Sequence, residues 1–300
     1  MPVGKPISGK TRLAGILGMP VNHSLSPAMH NAAYRELDFD WAYVPLGLKH
    51  EDDLERVLRA IRVLPFVGFN VTMPFKQAML TYCDEVAMAA KMAGAVNTVH
   101  CVDGRLVGYN TDGRGLVESL AEEARFTSGG ESITIIGAGG AAGAAAVAFI
   151  LEKAGRVAIV NRTVERAEEL ADRLIPYARS TEIVSLHVSE AEEQIRESRL
   201  LINATPTGMA QDDPSPIPVS WISRDQIVCD MVYNVRETAL LKAARDAGAL
   251  AVGGLGMLVH QAALAIDIWS ETAQHKAPRD LMRSAAQAAV SSACLGEAIE

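Results

Sequence analysis

Hydrophobic and polar positions follow two different patterns along the chain, and the change falls near residue 112. In the first part, short apolar runs predict strands, and segments with a 3.6-residue hydrophobic period predict helices. The predicted order is strand 13–17, helix 27–37, strand 41–46, helix 51–61, strand 66–72, helix 74–83 and a hairpin of 96–102 with 105–109. Ser26 as N-cap and Pro27 at the first helical position mark the start of the first helix. Asp103 and Gly104 are a favoured two-residue hairpin turn.

From residue 113 onward, helices and strands alternate. The predicted order is helix 113–123, strand 133–136, helix 140–154, strand 157–160, helix 164–174, strand 183–186, helix 190–197, strand 200–204, strand 227–232 and helix 238–247. Such alternation predicts a parallel sheet with helices on both faces. A glycine-rich break at 253–256 then precedes a long amphipathic helix at 257–269.

Length and composition indicate a globular protein with two domains or one large α/β unit. The chain has 300 residues, about twice the ~150 of a typical domain. Its residues are 49% hydrophobic and 21% charged, which excludes a disordered or fibrous chain. A net charge of −8 and an aromatic content of 5% argue against nucleic acid or anionic lipid as partners.

Cysteine and histidine positions predict neither a disulfide framework nor a metal site. The four cysteines lie far apart, so we expect reduced thiols in a cytoplasmic protein. The histidines have no metal-ligand spacing, and we expect no metal. The uncharged stretch 132–151 is long enough to cross a bilayer, but its glycine and alanine content favours a loop and helix instead, so no membrane association is expected.

A glycine-rich loop joins the strand at 133–136 to the following helix. Gly137 permits a tight turn, Gly139 lets a pyrophosphate approach the backbone, and Ala142 is the small residue where the helix meets the strand. The helix N-terminus offers N–H groups to the phosphates. This arrangement predicts a doubly wound, Rossmann-type dinucleotide-binding domain; the alternative is a glycine-rich turn without a ligand.

The end of the next strand bears on which dinucleotide would bind. It carries Asn161, Arg162 and Thr163, with Arg166 one helical turn further, where NAD-binding domains place a carboxylate. Two guanidinium groups suit a 2′-phosphate dianion, which favours NADP over NAD. The alternative is that both arginines are solvated and pair with Glu165 or Glu169.

Polar residues in the first part form candidate substrate and proton-transfer groups. Ser24 and Ser26, beside a helix start, form a candidate carboxylate site, although capping alone would explain Ser26. Lys76 is predicted in the first turn of helix 74–83, where the helix dipole favours the neutral amine; otherwise it is a surface lysine. Asp112 either caps the next helix or, if brought beside Lys76, forms a pair that can move a proton.

These segments together resemble the shikimate dehydrogenase family from about Arg12 to Trp269. The resemblance is carried by eight ordered motifs: GMPVNHSLSPAMHN from Gly18, GFNVTMPFK from Gly68, GAVNT from Gly94, NTDG from Asn110, GAGGA from Gly137, NRTVER from Asn161, NATP from Asn203 and GLGMLVHQ from Gly254. The prolines that the family often has after the Tyr-Asn pair and a few residues later are replaced by Val235 and Ala239.

The resemblance implies roles for individual residues. Lys76 and Asp112 would be the catalytic pair. The substrate would be bound by Ser24, Ser26, Thr72, Asn97, Asp112, Tyr233 and Gln261. The cofactor would be bound by Gly137, Ala138, Gly139, Gly140, Ala141, Asn161, Arg162, Thr163, Arg166, Thr205, Val232, Gly254 and Met257.

The resemblance also implies an architecture and a reaction. Residues 1–112 and 254–300 would form the substrate domain, with C-terminal helices returning to it, and 113–253 the NADP domain. The enzyme would reversibly reduce 3-dehydroshikimate to shikimate with NADPH, in the route to chorismate and the aromatic amino acids. The alternatives are a quinate/shikimate dehydrogenase that uses NAD, and a non-catalytic ligand-sensing regulator. Monomer and homodimer are both left open.

Overall fold

The computed structural model describes residues 5–210, 212–235, 237–271 and 277–296. It divides into two compact units. The first unit is Met1–Thr111 with Val259–Glu300, and the second unit is Asp112–Leu258. Each unit is built around a sheet with helices, so the predicted α/β fold class is confirmed.

The sheet of the first unit is mixed. Its strands are β1 Arg12–Gly18, β2 Trp41–Gly47, β3 Phe66–Val71, β4 Glu85–Val86, β5 Thr98–Val102 and β6 Arg105–Tyr109. Their spatial order is β2-β1-β3-β5-β6-β4. Strand β1 runs parallel to β2 and β3, whereas β5 is antiparallel to β3 and β6. The predicted hairpin is confirmed, and both turn residues, Asp103 and Gly104, have the positive φ that its turn type requires.

The helices of the first unit pack on this sheet. They are α1 Ser26–Glu36, α2 Leu54–Ile61, α3 Met79–Tyr82, α4 Met88–Ala93 and, late in the chain, α11 Arg279–Gly296. Helix α11 packs against α1. The core includes Leu17, Phe69 and Met79, none of which is exposed to solvent. The indole N–H of Trp269 donates to the carbonyl oxygen of Val99 over 2.9 Å.

The helix predicted at 74–83 is wrong over most of its length. Only Met79–Tyr82 is helical, and residues 74–78 form turns. Two tertiary contacts account for the difference. Phe75 enters the core, and the carbonyl oxygen of Lys76 accepts the backbone N–H of Val96 at 2.8 Å rather than one from its own segment. These two long-range contacts override the local propensity of the segment to form a helix.

The sheet of the second unit is entirely parallel among the described residues. Its strands are β7 Ser132–Ile136, β8 Arg156–Asn161, β9 Glu182–His187, β10 Leu200–Asn203, β11 Ile227–Asp230 and β12 Leu250–Val252. Their order is β12-β11-β10-β7-β8-β9, the doubly wound arrangement in which the order reverses between β7 and β10. Strand β12 was not predicted, because it is only three residues long.

Helices flank this sheet. They are α5 Asp112–Ala124, α6 Gly140–Leu151, α7 Val164–Leu174, α8 Glu192–Glu197 and α9 Ala239–Asp246. Helix α10 Leu255–Ser270 begins in this unit, and its residues from Val259 onward belong to the first unit. Gly113 lies against the backbone of Ala144, so α5 and α6 pack closely. The uncharged stretch noted in the sequence is β7, the glycine loop and α6. None of the helices in the described residues is long and apolar enough to span a bilayer.

Candidate active site

The start of α1 is organised by Ser24 rather than by Ser26. Ser26 is the first residue of the helix, Leu25 is the N-cap, and no side chain caps the helix. Ser26 as N-cap is therefore wrong, and Pro27, predicted at the first helical position, occupies the second, still within the first turn. The Ser24 hydroxyl oxygen accepts the backbone N–H of Ser26 at 3.2 Å, a local bond of the kind serine forms before helices.

Ser26 instead belongs to a buried chain of hydrogen bonds. Its side chain hydrogen bonds to the Tyr43 phenol, which donates to Oδ1 of Asn70 at 2.8 Å. Burial raises the pKa of Tyr43, and the bond from Ser26 opposes that rise. The phenol therefore stays protonated and acts as a fixed donor. Through this chain, the start of α1 is joined to the middle of the sheet.

Asn97 lies at the centre of a buried cluster of amides and hydroxyls. Its Oδ1 accepts the backbone N–H of Thr111 at 2.8 Å and the hydroxyl of Thr98 at 3.0 Å. Its Nδ2 donates to Oγ1 of Thr111 at 3.0 Å, and the amide of Asn70 donates to Oγ1 of Thr98 at 3.0 Å. Asn97 is only 2% exposed. Because both ends of its side-chain amide are held, its orientation is set before any ligand binds.

Thr72 and Lys76 lie on the turns that follow β3. The backbone N–H of Thr72 donates to the carbonyl oxygen of Leu17 at 2.9 Å, which anchors Thr72 beside β1. Lys76 is half-buried and is tied to Val96, next to Asn97, through its carbonyl oxygen. Lys76 is not in a first helical turn, so the prediction that a helix dipole acts on its amine is wrong.

The other substrate candidates lie on α10 and in the second unit. Gln261 lies on α10 and is 8% exposed. Asp112 begins α5 and is 5% exposed. Tyr233 lies close enough to Asp112 for its charge to add to the effect of burial, and both raise the pKa of the Tyr233 phenol. Asp112 and Tyr233 thus face a common region of the second unit.

The glycine loop after β7 has the geometry of a phosphate cradle. Gly137 has a φ of +116°, which favours glycine, and its N–H donates to the carbonyl oxygen of Val160 at 2.7 Å. A Cβ at Gly139 would meet no atom within 4 Å, so the space beside it is open. The first turn of α6 presents N–H groups without intrahelical acceptors, and Ala142 is fully buried behind them.

The candidate 2′-phosphate site lies at the end of β8. The amide of Asn161 donates to the carbonyl oxygen of Thr163 at 2.8 Å, which folds the turn into α7. Arg162, Thr163 and Arg166 are exposed. Within the described residues, neither guanidinium forms an ion pair with a carboxylate.

The second half of this sheet brings Thr205, Val232 and Gly254 to its carboxyl edge. Both the N–H and the hydroxyl of Thr205 donate to Oδ1 of Asn203, at 3.0 and 2.7 Å. The N–H of Gly254 donates to the carbonyl oxygen of Val232 at 3.3 Å. A Cβ at Gly254 would lie 2.8 Å from that same oxygen, so only glycine fits there. Met257 follows in the first turn of α10 and is 9% exposed.

Several residues of these networks carried no recognisable signal in the sequence. Tyr43 lies in an apolar strand and is indistinguishable there from a core aromatic residue. Thr98 and Thr111 are ordinary residues near a hairpin. Asp230 ends a buried strand, where its Oδ1 accepts Nδ2 of Asn203 at 3.0 Å, and a carboxylate at the end of such a strand was the one signal available for it. Among the described residues, no group of metal-ligating side chains comes together.

A parallel sheet with a glycine loop beside its switch point defines a dinucleotide-binding domain, and the comparisons with known proteins specify the family. Three protein-family models match segments of this chain: "Shikimate dehydrogenase substrate binding domain" at residues 16–99, "Shikimate / quinate 5-dehydrogenase" at 119–210 and "Shikimate 5'-dehydrogenase C-terminal domain" at 254–287. A curated shikimate dehydrogenase (NADP(+)) of Desulforamulus reducens is 42% identical over 281 residues, which are 93% of this chain and 95% of that protein.

Solved structures agree. A crystal structure of a shikimate dehydrogenase in complex with NADP+ has a TM-score of 0.88 and 35% identity, covering 97% of this chain and 99% of that one. The shikimate 5-dehydrogenase of Thermus thermophilus, in complex with NADP(H) and shikimate, has a TM-score of 0.82 and 35% identity, covering 93% and 100%. The chain belongs to the shikimate dehydrogenase family, and the resemblance noted in its motifs is confirmed.

Proposed function

We propose that this chain is an NADP-dependent shikimate dehydrogenase, which interconverts 3-dehydroshikimate and shikimate. Relatives that align with almost the whole length of this chain are named for that activity. The observation of this structure that carries the proposal is the buried cluster around Asn97, a set of fixed amide and hydroxyl groups suited to a polyhydroxylated ring.

The substrate carboxylate is assigned to Ser24 and Ser26. Their hydroxyls lie at the N-terminus of α1, where the helix dipole favours a negative charge. Tyr233 is assigned to the same carboxylate. The ring hydroxyls are assigned to Thr72, Asn97, Asp112 and Gln261. Asn97 is assigned to a substrate hydroxyl through its side-chain amide, whose orientation is fixed by bonds to Thr98 and Thr111 at Oδ1 and to Thr111 at Nδ2.

Lys76 and Asp112 are assigned the proton transfer. In the reducing direction, the ammonium of Lys76 donates its proton to the oxygen at C3 as the carbonyl becomes an alkoxide. In the oxidising direction, the neutral amine removes that proton. The carboxylate of Asp112 is assigned to hold the substrate hydroxyl that gives up or takes the proton. Bound NADP(H) supplies or accepts the hydride at C3.

The second unit has groups suited to the pyrophosphate and to the 2′-phosphate of NADP(H). Open space beside Gly139 admits a pyrophosphate, and the N–H groups at the start of α6 are available to it. Gly137, Ala138, Gly140 and Ala141 complete this cradle. The exposed guanidinium groups of Arg162 and Arg166, with Asn161 and Thr163, suit a 2′-phosphate.

The remaining assignments follow from that division of labour. Residues 1–112 with 254–300 serve as the substrate domain and 113–253 as the NADP domain. Thr205, Val232, Gly254 and Met257 line the remainder of the dinucleotide site. A cytoplasmic location remains a prediction based on the isolated cysteines, and sedimentation equilibrium distinguishes a monomer from a homodimer.

An absorbance assay at the NADPH band tests the proposal with shikimate and quinate, each with NADP+ and NAD+. We expect the highest kcat/KM for shikimate with NADP+. A higher value for quinate with NAD+ would establish the quinate alternative instead. Binding of shikimate without turnover under any pairing would identify a ligand-sensing protein.

A further inference from the structure

Asp230 is a fully buried carboxylate at the end of β11, and the reaction assigned above gives it no chemical role. Its side chain has 0% exposure. Burial raises the pKa of Asp230, while hydrogen bonds from Thr238, Val232 and Asn203 oppose the rise. A buried carboxylate is costly unless its oxygens are matched by donors. The positions of those donors therefore indicate what the residue does.

Each donor to Asp230 comes from a different segment of the chain. Oδ1 accepts Nδ2 of Asn203 at 3.0 Å and the backbone N–H of Val232 at 3.1 Å. Oδ2 accepts the hydroxyl of Thr238 at 2.6 Å. The donors lie at the end of β10, in the segment after β11 and at the start of α9, so one carboxylate joins all three.

The first two of these segments face the carboxyl edge of the sheet. Asn203 passes the constraint on, because its Oδ1 holds both the N–H and the hydroxyl of Thr205 and its Nδ2 also donates to the carbonyl oxygen of Thr207 at 2.9 Å. Val232 holds the N–H of Gly254 through its carbonyl oxygen. The third segment is held because Thr238 caps α9, accepting the N–H of Leu241 at 3.3 Å.

A doubly wound sheet binds a dinucleotide across its switch point, with one mononucleotide on each half. The half formed by β7, β8 and β9 carries the glycine loop and the arginines, and therefore takes the adenosine end. The half formed by β10, β11 and β12 takes the other mononucleotide. Asp230 holds the two loops of that second half, which follow β10 and β11.

We propose that Asp230 is a positioning residue for the nicotinamide half of the NADP(H) site. It acts through Asn203 and Val232, which hold the loops carrying Thr205 and Gly254, and Thr238 fixes the orientation of its carboxylate. The proposal rests on the proposed function, because it requires that the second unit bind NADP(H).

Two ligands separate this role from a general loss of structure. Adenosine 2′,5′-bisphosphate occupies only the adenosine half, whereas NADPH occupies both halves. For Asp230→Ala, which leaves the N–H of Val232 without its acceptor, we expect the Kd for NADPH to rise about tenfold or more. The Kd for adenosine 2′,5′-bisphosphate should stay within about twofold of wild type, as at an untouched site.

Conservative variants sharpen the test. In Asp230→Asn, the amide oxygen still accepts from Asn203 and Val232 while its NH₂ group donates to Thr238, so NADPH affinity should be largely restored. Thr238→Val should weaken NADPH binding while Thr238→Ser retains it, and this pair decides the matter if Asp230→Ala does not fold. Thr134→Val is the matched control, since it removes a buried hydrogen bond to Ser198 elsewhere in the same sheet.

The outcomes are distinct. Equal losses of affinity for both ligands, or unchanged NADPH binding in the folded Asp230→Ala and Thr238→Val variants, would overturn the positioning role. An Asp230→Asn variant as impaired as Asp230→Ala would also contradict it. If the wild-type protein binds neither ligand, the proposed function itself fails.

Discussion

The side-chain oxygen of Ser24 accepts a hydrogen bond from the backbone N–H of Ser26, 3.2 Å away. This bond assigns the local structural role at the start of α1 to Ser24. Ser26 lies inside the helix, is 5% exposed and hydrogen bonds to Tyr43. Both serines thus have a structural partner as well as a proposed substrate contact, and their substitution should affect stability differently.

Ser24→Ala should raise the KM for shikimate and lower the free energy of unfolding by about 0.5–1 kcal/mol, because the N–H of Ser26 loses its acceptor. Ser26→Ala should also raise this KM, and its stability loss should vanish in a Tyr43→Phe background, where the Ser26–Tyr43 bond is already absent. Denaturant melts and substrate titrations measure both effects. A KM unchanged in both variants would remove the carboxylate site, and additive stability losses in the double variant would contradict the Ser26–Tyr43 bond.

Lys76→Ala should lower kcat by about 10²–10⁴, the usual range for loss of a general acid–base group. The Kd for NADP+ should not change, because the glycine loop and the arginines belong to the second unit. Lys91→Ala, at an exposed lysine of α4, is the matched control and should behave as wild type. Turnover of Lys76→Ala within a few-fold of wild type would reduce this residue to a positioning role.

Much of the second unit could be predicted from its sequence because its signals are local. Alternating apolar strands and amphipathic helices produce a doubly wound sheet. Of the glycines after β7, Gly137 is explained by its φ of +116° and Gly139 by the open space beside it. The residues of the turn after β8 were also predicted, since polar and basic residues at a strand end are visible in a single sequence.

Long-range hydrogen bonds could not be predicted in the same way. The turns at 74–78 depend on the bond between Val96 and Lys76, two residues that are distant in sequence. The orientation of Asn97 depends on Thr98 and Thr111, whose types are unremarkable at those positions. Each case involves a partner that only the tertiary fold brings close, Val96 for Lys76 and Thr111 for Asn97, so periodicity and propensity carry no trace of it.

Arg162→Ala combined with Arg166→Ala should raise the KM for NADP+ about tenfold or more, through lost charged hydrogen bonds to the 2′-phosphate. The KM for NAD+ should change much less. Arg173→Ala is a suitable control for the loss of one such positive charge, because it removes an arginine from an exposed position at the other end of α7. Steady-state kinetics with both cofactors provides the measurement, and equal weakening of both would indicate a structural role for the pair.

Glycine substitutions in the cradle should separate fold from binding. At Gly139, with a φ of −88° and open space around a Cβ, alanine should leave the free energy of unfolding within about 0.5 kcal/mol. The added methyl group should nonetheless weaken NADPH binding, because it enters the space assigned to the pyrophosphate. Gly137→Ala should lower stability as well, owing to its positive φ. Unchanged NADPH affinity in Gly139→Ala, measured by titration calorimetry, would place the pyrophosphate elsewhere.

His30 should make the stability of the protein fall in mild acid. Its ring is fully buried in α1, stacks on Tyr43 with centroids 4.1 Å apart, and has no hydrogen-bond partner at Nε2 within the part of the chain that the structure describes. Burial lowers its pKa from 6.5 to about 3. The unfolded chain therefore binds a proton that the folded chain excludes between these two values.

The resulting stability is fully present above the unfolded pKa of 6.5 and is lost as the pH falls toward about 3. The slope contributed by this one group approaches about 1.4 kcal/mol per pH unit inside that window. His30→Phe keeps an aromatic ring against Tyr43 but cannot take up a proton. Its free energy of unfolding should therefore depend less steeply on pH between about 6 and 4.5, a range that lies inside that window. His50→Gln, at an exposed position, should retain the wild-type slope. Urea melts across the window measure the difference, and parallel curves for His30→Phe and wild type would show that His30 is not the group responsible.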